Sequence, residues 1–334
     1  MPRVIRQNAC IGGLYMRLTR RFAIGAGLAA AALPPSVEAA QPLAGRQAPS
    51  FFRSKIGDFE ITAINDGLAQ RPLDGFIKNA PIEEVRKVLG DAFMAQDKIT
   101  IPFTSLVVNT GSKLYLLDSG NGDLGAPTTG SWMANFRAAG FDPEKVDGVL
   151  ISHFHGDHIN GTRLKDGKAV FPNAEMMVSA PEWDFWMDDG KMAQASEGMK
   201  PAFQNARRVF APMAKDVKRF DWGKEIVSGI TAVAAPGHTP GHTVFAIQSG
   251  NARFLMMSDL TNNTSVFVRK PDWQAIVDMD GDQARQTRHR MLDIAASEKM
   301  QVAFYHAPFP ATGHILRDGA GAYQLVPALW QPLG

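Results

Sequence analysis

Residues 149–158 read Val149-Leu150-Ile151-Ser152-His153-Phe154-His155-Gly156-Asp157-His158. The opening apolar run reads as a strand buried on both faces. Past its end, the alternation of an extended chain puts His153 and His155 on the same side. Gly156 permits a sharp turn, and Asp157 and His158 follow in the turn or in the first helical residues. They aim back toward the same point but are displaced from it, which suits a second metal beside a first. A polar loop holding three His by chance is the competing reading, and it accounts for none of this clustering.

The same grouping recurs downstream. Strand-like Ile230–Ala235 leads into Pro236-Gly237-His238-Thr239-Pro240-Gly241-His242. Phe254-Leu255-Met256-Met257-Ser258-Asp259 ends a strand on an acid, and Val302-Ala303-Phe304-Tyr305-His306 ends another on a His. Upstream, Leu116-Leu117-Asp118 also closes a strand on an acid. In this order, over about residues 59–314, the motifs resemble those of the metallo-β-lactamase superfamily. The resemblance implies an α/β fold, a four-layer αβ/βα sandwich in a single domain. Carried over by position, it implies that His153, His155 and His238 hold one metal. Asp157, His158 and His306 would hold the other, with Asp259 bridging and Asp118 supporting the site from behind. These ligands suit two divalent ions, Zn first, with Mn, Fe or Co accepting the same set. Two such ions about 3.5 to 4 Å apart share a water, lower its pKa and present hydroxide at neutral pH. The expected chemistry is hydrolysis, with Asp157 or Asp259 taking the proton.

Composition agrees with a globular enzyme. The 334 residues are 45% hydrophobic and 20% charged, with 31 Gly and 21 Pro, which excludes collagen-like, coiled-coil and broadly disordered chains. Residues 1–40 hold five Arg against Glu38 alone, so the remainder has 30 basic and 32 acidic residues and lacks the basic footprint of a nucleic-acid partner. Residues 1–40 read as an export signal. Arg20-Arg21 resembles a twin-arginine start, an apolar run covers Phe22 to Leu33, small residues end near Ala40, and Met16 is an alternative start. The run is shorter than the ~20 residues of a membrane span, so a periplasmic or secreted protein without a stable membrane anchor is expected. Cys10, the only cysteine, precedes that run, which leaves a mature chain from about Gln41 without disulfide or thiolate. Residues 41–52 read as a linker or arm and 53–334 as the hydrolase domain. A homodimer is expected from the resemblance alone.

Gly120-Asn121-Gly122-Asp123-Leu124-Gly125 fits a dinucleotide fingerprint formally, but Ala126-Pro127-Thr128-Thr129-Gly130 opens no helix behind it. No G-x-S-x-G occurs, so a serine nucleophile has no starting point. Within the superfamily, the acid at Asp259 departs from β-lactamases, whose relatives carry Cys or Ser there. Only 28 residues follow His306, too few for the helical glutathione-binding domain of glyoxalase II. The spacing from His153 to His238, Asp259 and His306 resembles instead the branch that includes methyl parathion hydrolase and related lactonases and arylesterases. That likeness implies small lactones or aryl esters as substrates, with phosphotriesters as a side activity; a β-lactamase-like or thioester hydrolase is the alternative. Trp183 and Trp186 in Pro181–Met187, with Phe309 and His314 beyond His306, are the candidate substrate-binding residues. A helix packed on the core would use the two Trp equally well. His242 reads as structural and His289 as a solvated helix position.

Overall fold

Apolar side chains alternating along short strands build two sheets. The first contains, in spatial and chain order, β1 (Phe51–Ile56), β2 (Phe59–Pro72), β3 (Lys98–Asn109), β4 (Leu114–Leu117), β5 (Gly148–Ile151), β6 (Glu175–Ser179) and β7 (Lys218–Phe220). It is antiparallel as far as β4 and parallel from β4 to β7. The second contains β8 (Glu225–Val227), β9 (Ile230–Ala234), β10 (Thr243–Ser249), β11 (Ala252–Met256), β12 (Gln301–Ala303), β13 (Thr312–Arg317) and β14 (Tyr323–Pro327). Only the β11–β12 pairing is parallel there. The computed structural model describes residues 41, 43–319 and 321–333, so the expected export signal lies outside the described residues.

The helices are α1 (Ile82–Asp91), α2 (Trp132–Ala138), α3 (Gly156–Ile159), α4 (Ala180–Trp186), α5 (Asp189–Gln194), α6 (Lys200–Phe210), α7 (Thr264–Phe267) and α8 (Gly281–Ser297). Leu106, Leu117, Leu150 and Met177 from the first sheet meet Phe245, Ile247, Phe254 and Met256 from the second in a shared core. Their chain neighbours face outward. Val107, Leu116, Val149, Ile151 and Val178 pack under Phe136, Trp186, Phe203 and Phe210 of α2, α4 and α6. Val244, Leu255 and Val302 pack under Met291, Leu292 and Ala295 of α8. Both faces of each sheet are covered, which is why β5 reads as an unbroken apolar run. The result is a helix–sheet–sheet–helix sandwich in a single domain, as the sequence resemblance implies.

Ser179 ends β6 and caps α4 by accepting from the Glu182 N–H, while Pro181 occupies the first helical turn. The arm read over residues 41–52 ends earlier: Phe51 pairs with Ile64, so strand structure starts at Phe51. The three-residue strands β7 and β8 are too short to show periodicity in the sequence. No helix among the described residues is long and apolar enough to cross a membrane.

A β-bulge at Asn65/Gly67 interrupts the β2–β3 register. The carboxylate of the intervening Asp66 is buried, and it accepts from Asn121 N (2.7 Å), Asn121 Nδ2 (2.8 Å), Gly130 N (3.0 Å) and Trp132 N (2.8 Å). This acid holds the long loop that follows β4. Gly67 has φ 107°, and a Cβ there would collide with the carbonyl oxygen of Thr128. Gly67→Ala is expected to destabilise the protein by at least about 2 kcal/mol through this backbone strain. The measurement is the urea midpoint at unchanged slope; an unmoved midpoint would show that the loop yields.

Candidate metal centre

Five strands, β4, β5, β9, β11 and β12, end at one edge of the sandwich, and each is followed within four residues by a His or Asp of the motifs. Cross-sheet hydrogen bonds fix this edge: Thr243 N–H donates to Ser152 O at 3.0 Å and Thr104 N–H to Tyr305 O at 2.9 Å. The edge gathers two groups of ligand atoms, His153, His155, His238 with Asp259, and Asp157, His158, His306 with Asp259. These are the two sets carried over from the motifs, and Asp259 belongs to both.

In the first group His155 Nδ1 lies 3.0 Å from His153 Nε2 and 2.9 Å from His238 Nε2, and Asp259 Oδ2 lies 3.3 Å from His238 Nε2. In the second, His306 Nε2 is 2.9 Å from Asp259 Oδ2 and 3.5 Å from Asp157 Oδ2. His158 Nε2 sits 3.3 Å from Asp157 Oδ2 and 3.1 Å from Asp259 Oδ1. A tetrahedral Zn site with 2.1 Å arms has donor separations of about 3.4 Å. His158 Nε2 and Asp259 Oδ1 are buried and make no hydrogen bond, although they face each other. Buried polar atoms left this way are costly unless a cation satisfies them. The residues therefore fit a pair of divalent metal ions.

Tautomers are set from behind, by partners on the far ring nitrogens. His158 Nδ1 donates to Asp118 Oδ2 at 2.8 Å, and Asp118 also accepts from Ser152 N and Ser152 Oγ. His153 Nδ1 donates to Ser152 Oγ (3.0 Å), His306 Nδ1 to Pro102 O (2.8 Å) and His238 Nδ1 to Asp278 Oδ1 (2.9 Å). Asp278 is paired in turn with the buried Arg288 at 3.3 Å. His242 donates from Nδ1 to Ala235 O and accepts from the Asp259 N–H at Nε2, so it anchors the backbone of the shared acid. Tyr305 donates its hydroxyl to Asp157 O at 2.6 Å, which makes it a support of that loop.

Electrostatics follow from this crowding. Burial holds His155 down at about 3 and His242 at about 4, with His238 adding to both shifts. Burial also acts to lower His238 and His158, yet the surrounding carboxylates win. Asp259 and Asp278 push His238 up to about 9, and Asp259, Asp157 and Asp118 hold His158 well above the ordinary range. For Asp157, burial raises the carboxyl but His158 and His306 bring it to about 2. Three imidazole nitrogens aimed at one point need a cation there, either a proton or a metal.

The candidate substrate residues fare differently from the ligands. Trp183 is 6% exposed and Trp186 is fully enclosed, both in the core between α4, α6 and the first sheet. The Trp186 ring stands 6.2 Å from the His155 ring, edge to face, and packs behind that candidate ligand. His314 is an exposed position of β13, paired with Gln301. Phe309 is 37% exposed in the loop after His306. His289 is half-buried and bonded to Asp272. Asp66, Glu182, Asp278 and Arg288 were not singled out from sequence. Arg288 had a signal there: Ala284, Met291, Leu292 and Ala295 form a buried helical stripe that includes it.

A family model described as the metallo-beta-lactamase superfamily matches residues 101–306. The N-acyl homoserine lactonase AttM of Agrobacterium fabrum is 26% identical over 177 residues, 48% of this chain and 61% of that protein. The lactamase-like protein ptaB of Pestalotiopsis fici is 27% identical over 215 residues, 61% of this chain and 56% of that protein. The matches span about three fifths of the length of these relatives. Among solved structures, the hydrolase AbOPH of the beta lactamase superfamily superposes with a TM-score of 0.81 at 27% identity, over 86% of this chain and 100% of that one. AidC, a dizinc quorum-quenching lactonase in complex with the product N-hexanoyl-L-homoserine, superposes with a TM-score of 0.79 at 29% identity, over 85% and 99%.

Metal and proton compete for His158 and His238. Without metal the surrounding carboxylates favour the protonated form of both, and neither can keep that proton while ligating, so filling the centre is expected to release protons. Metal affinity accordingly rises with pH up to about 9, the value for His238. Titration calorimetry in buffers of different ionisation enthalpy counts the protons; a count near zero would remove these imidazoles from the ligand set.

Proposed function

Because the chain belongs to the metallo-β-lactamase superfamily, we propose that it is a dinuclear metal-dependent hydrolase of lactones or aryl esters, with phosphotriesters as a side activity. The observation that carries this is the pair of ligand groups sharing one carboxylate, Asp259. The lactonase names of AttM and AidC support a lactone as the substrate.

His153, His155 and His238 would hold one ion, Asp157, His158 and His306 the other, and Asp259 both. Zn is the favoured ion, by ligand type. When bound, the pair supplies a water nucleophile at neutral pH and polarises the scissile carbonyl. The remaining work falls to the protein. Hydrolysis of an ester takes a proton from water and delivers one to the leaving oxygen. Two acids are at hand, and the side chain of Asp157 is 21% exposed against 2% for Asp259. Asp157 can therefore meet the substrate and carry that proton, while Asp259 is held in place by its His242 contact. Tyr305 is occupied at Asp157 O and offers no donor to a developing oxyanion. Exposed apolar side chains flank the ligand loops, Phe309 after His306 and Ile276 and Val277 before Asp278, and suit an acyl or aryl group. The same proposal has the enzyme periplasmic or secreted, and the signal-like residues 16–40 are what supports that part of it.

The test pairs metal content with turnover of an acyl-homoserine lactone, dihydrocoumarin, p-nitrophenyl acetate, paraoxon-methyl, acyl-glutathione and nitrocefin. Expected are about two metals per chain and fastest turnover of a lactone or aryl ester. His153→Ala and Asp259→Ala should abolish activity. Asp157→Asn should lower kcat by about 10²- to 10⁴-fold, the range for a lost general acid–base. Fastest turnover of nitrocefin or the thioester would overturn the substrate assignment, and fewer than one metal after reconstitution would overturn the centre.

A further inference from the structure

Glu182, in the first turn of α4, is 1% exposed, and no Lys or Arg side chain pairs with it among the described residues. Its two oxygens take four donors instead. Oε1 accepts from Phe154 N (2.8 Å) and Trp186 Nε1 (2.7 Å), and Oε2 from Thr239 Oγ1 (2.8 Å) and Gly241 N (2.8 Å). Phe154 stands between His153 and His155, Thr239 directly follows His238, and Gly241 lies three residues past it. One carboxylate thus touches both loops that carry the three-histidine group. The junction is close: a Cβ on Gly241 would run into the backbone of Glu182, and Ser179 Oγ donates to Gly241 O at 2.7 Å.

Charge points the same way. Three neutral imidazoles bring no negative charge to a divalent cation, and Asp259 is shared. Asp278, behind His238, is already matched by Arg288. The second group has Asp157 of its own and Asp118 behind His158, neither paired with Lys or Arg. A buried carboxylate without a counter-cation is expensive wherever it serves packing alone, and Glu182 braces the loops of the one group that has no acid of its own.

We propose that Glu182 is the positioning residue of the three-histidine metal site: it fixes the spacing of the His153–His155 and His238 loops and supplies the charge that site lacks. The proposal rests on the two-metal reading above. The test is Glu182→Gln in the full chain, read by metal content after dialysis and by titration with Zn. A glutamine amide must turn its NH2 toward one pair of donors and loses the charge, so two hydrogen bonds fail. Affinity for one of the two metals should fall about 10- to 100-fold, as for lost partners of ligating groups, leaving about one metal per chain, with the other metal and the far-ultraviolet dichroism unchanged. Thr239→Val removes one donor without touching the charge and should weaken the same single site by less than Glu182→Gln does; it carries the test if the glutamine variant does not fold. Equal weakening of both metals, or two metals bound as tightly as before, would overturn the role of Glu182. Fewer than two metals on the unaltered chain would instead overturn the two-metal reading, so the two failures are distinguishable.

Discussion

Five imidazoles and two carboxylates converge on one small volume, their ligand atoms within 4.8 Å of one another inside each group. In water these side chains would never stay so arranged, since lone pairs facing lone pairs repel and burial removes the solvent that would screen them. A divalent cation reverses the sign of that interaction, so most unusual features nearby can be read as preparation for it. His242 illustrates the point. It must donate to Ala235 O and accept from the Asp259 N–H, which only its neutral form does, and burial keeps it neutral down to about 4.

Holding such a cluster requires rigid surroundings that do not themselves supply ligands. The two sheets provide them by ending together, so that loops from both meet and are stitched through Thr243–Ser152 and Thr104–Tyr305. Backbone strain collects at the same edge. Asp118 and Ser258 take positive φ, 64° and 48°, one backing His158 and the other directly preceding Asp259. Non-glycine residues hold such angles only where the environment over-determines them, and here the enclosing hydrogen bonds and core do so.

The ligands were legible because chemistry restricts their residue types and strand ends restrict their spacing: His153, His155, Asp157 and His158 declare themselves within six residues. Their supports were not, because a supporting group is defined by what it reaches. Glu182 looks like any acid opening a helix until the fold lays the His238 loop on its second oxygen. Arg288 sits between a His and a Gln-rich, charged stretch, and its burial depends on four contacts to Leu260, Pro271, Trp273 and Asp278. Trp183 and Trp186 were ambiguous for the opposite reason. Aromatic density marks pockets and cores alike, and the apolar outer face of β5 and β6 claimed both rings for the core.

That displacement relocates specificity. With the Trp pair inside the core, the ligands left partly open are His155 and Asp157, on either side of Gly156. On the proposed function, a substrate would reach the metals past this edge, and the side chains to select it would be those that border it and remain exposed. Phe309 meets the second condition, three residues beyond His306, as do Ile276 and Val277 beside the acid that backs His238. All three belong to loops, whereas the candidate metal ligands sit just past strand ends, Asp157 and His158 in the short helix α3. Loops of this kind change with little consequence for the core. The sandwich thus fixes the candidate ligands, while under the proposed hydrolase function these exposed apolar side chains, which the sandwich does not constrain, would be the ones to choose the substrate.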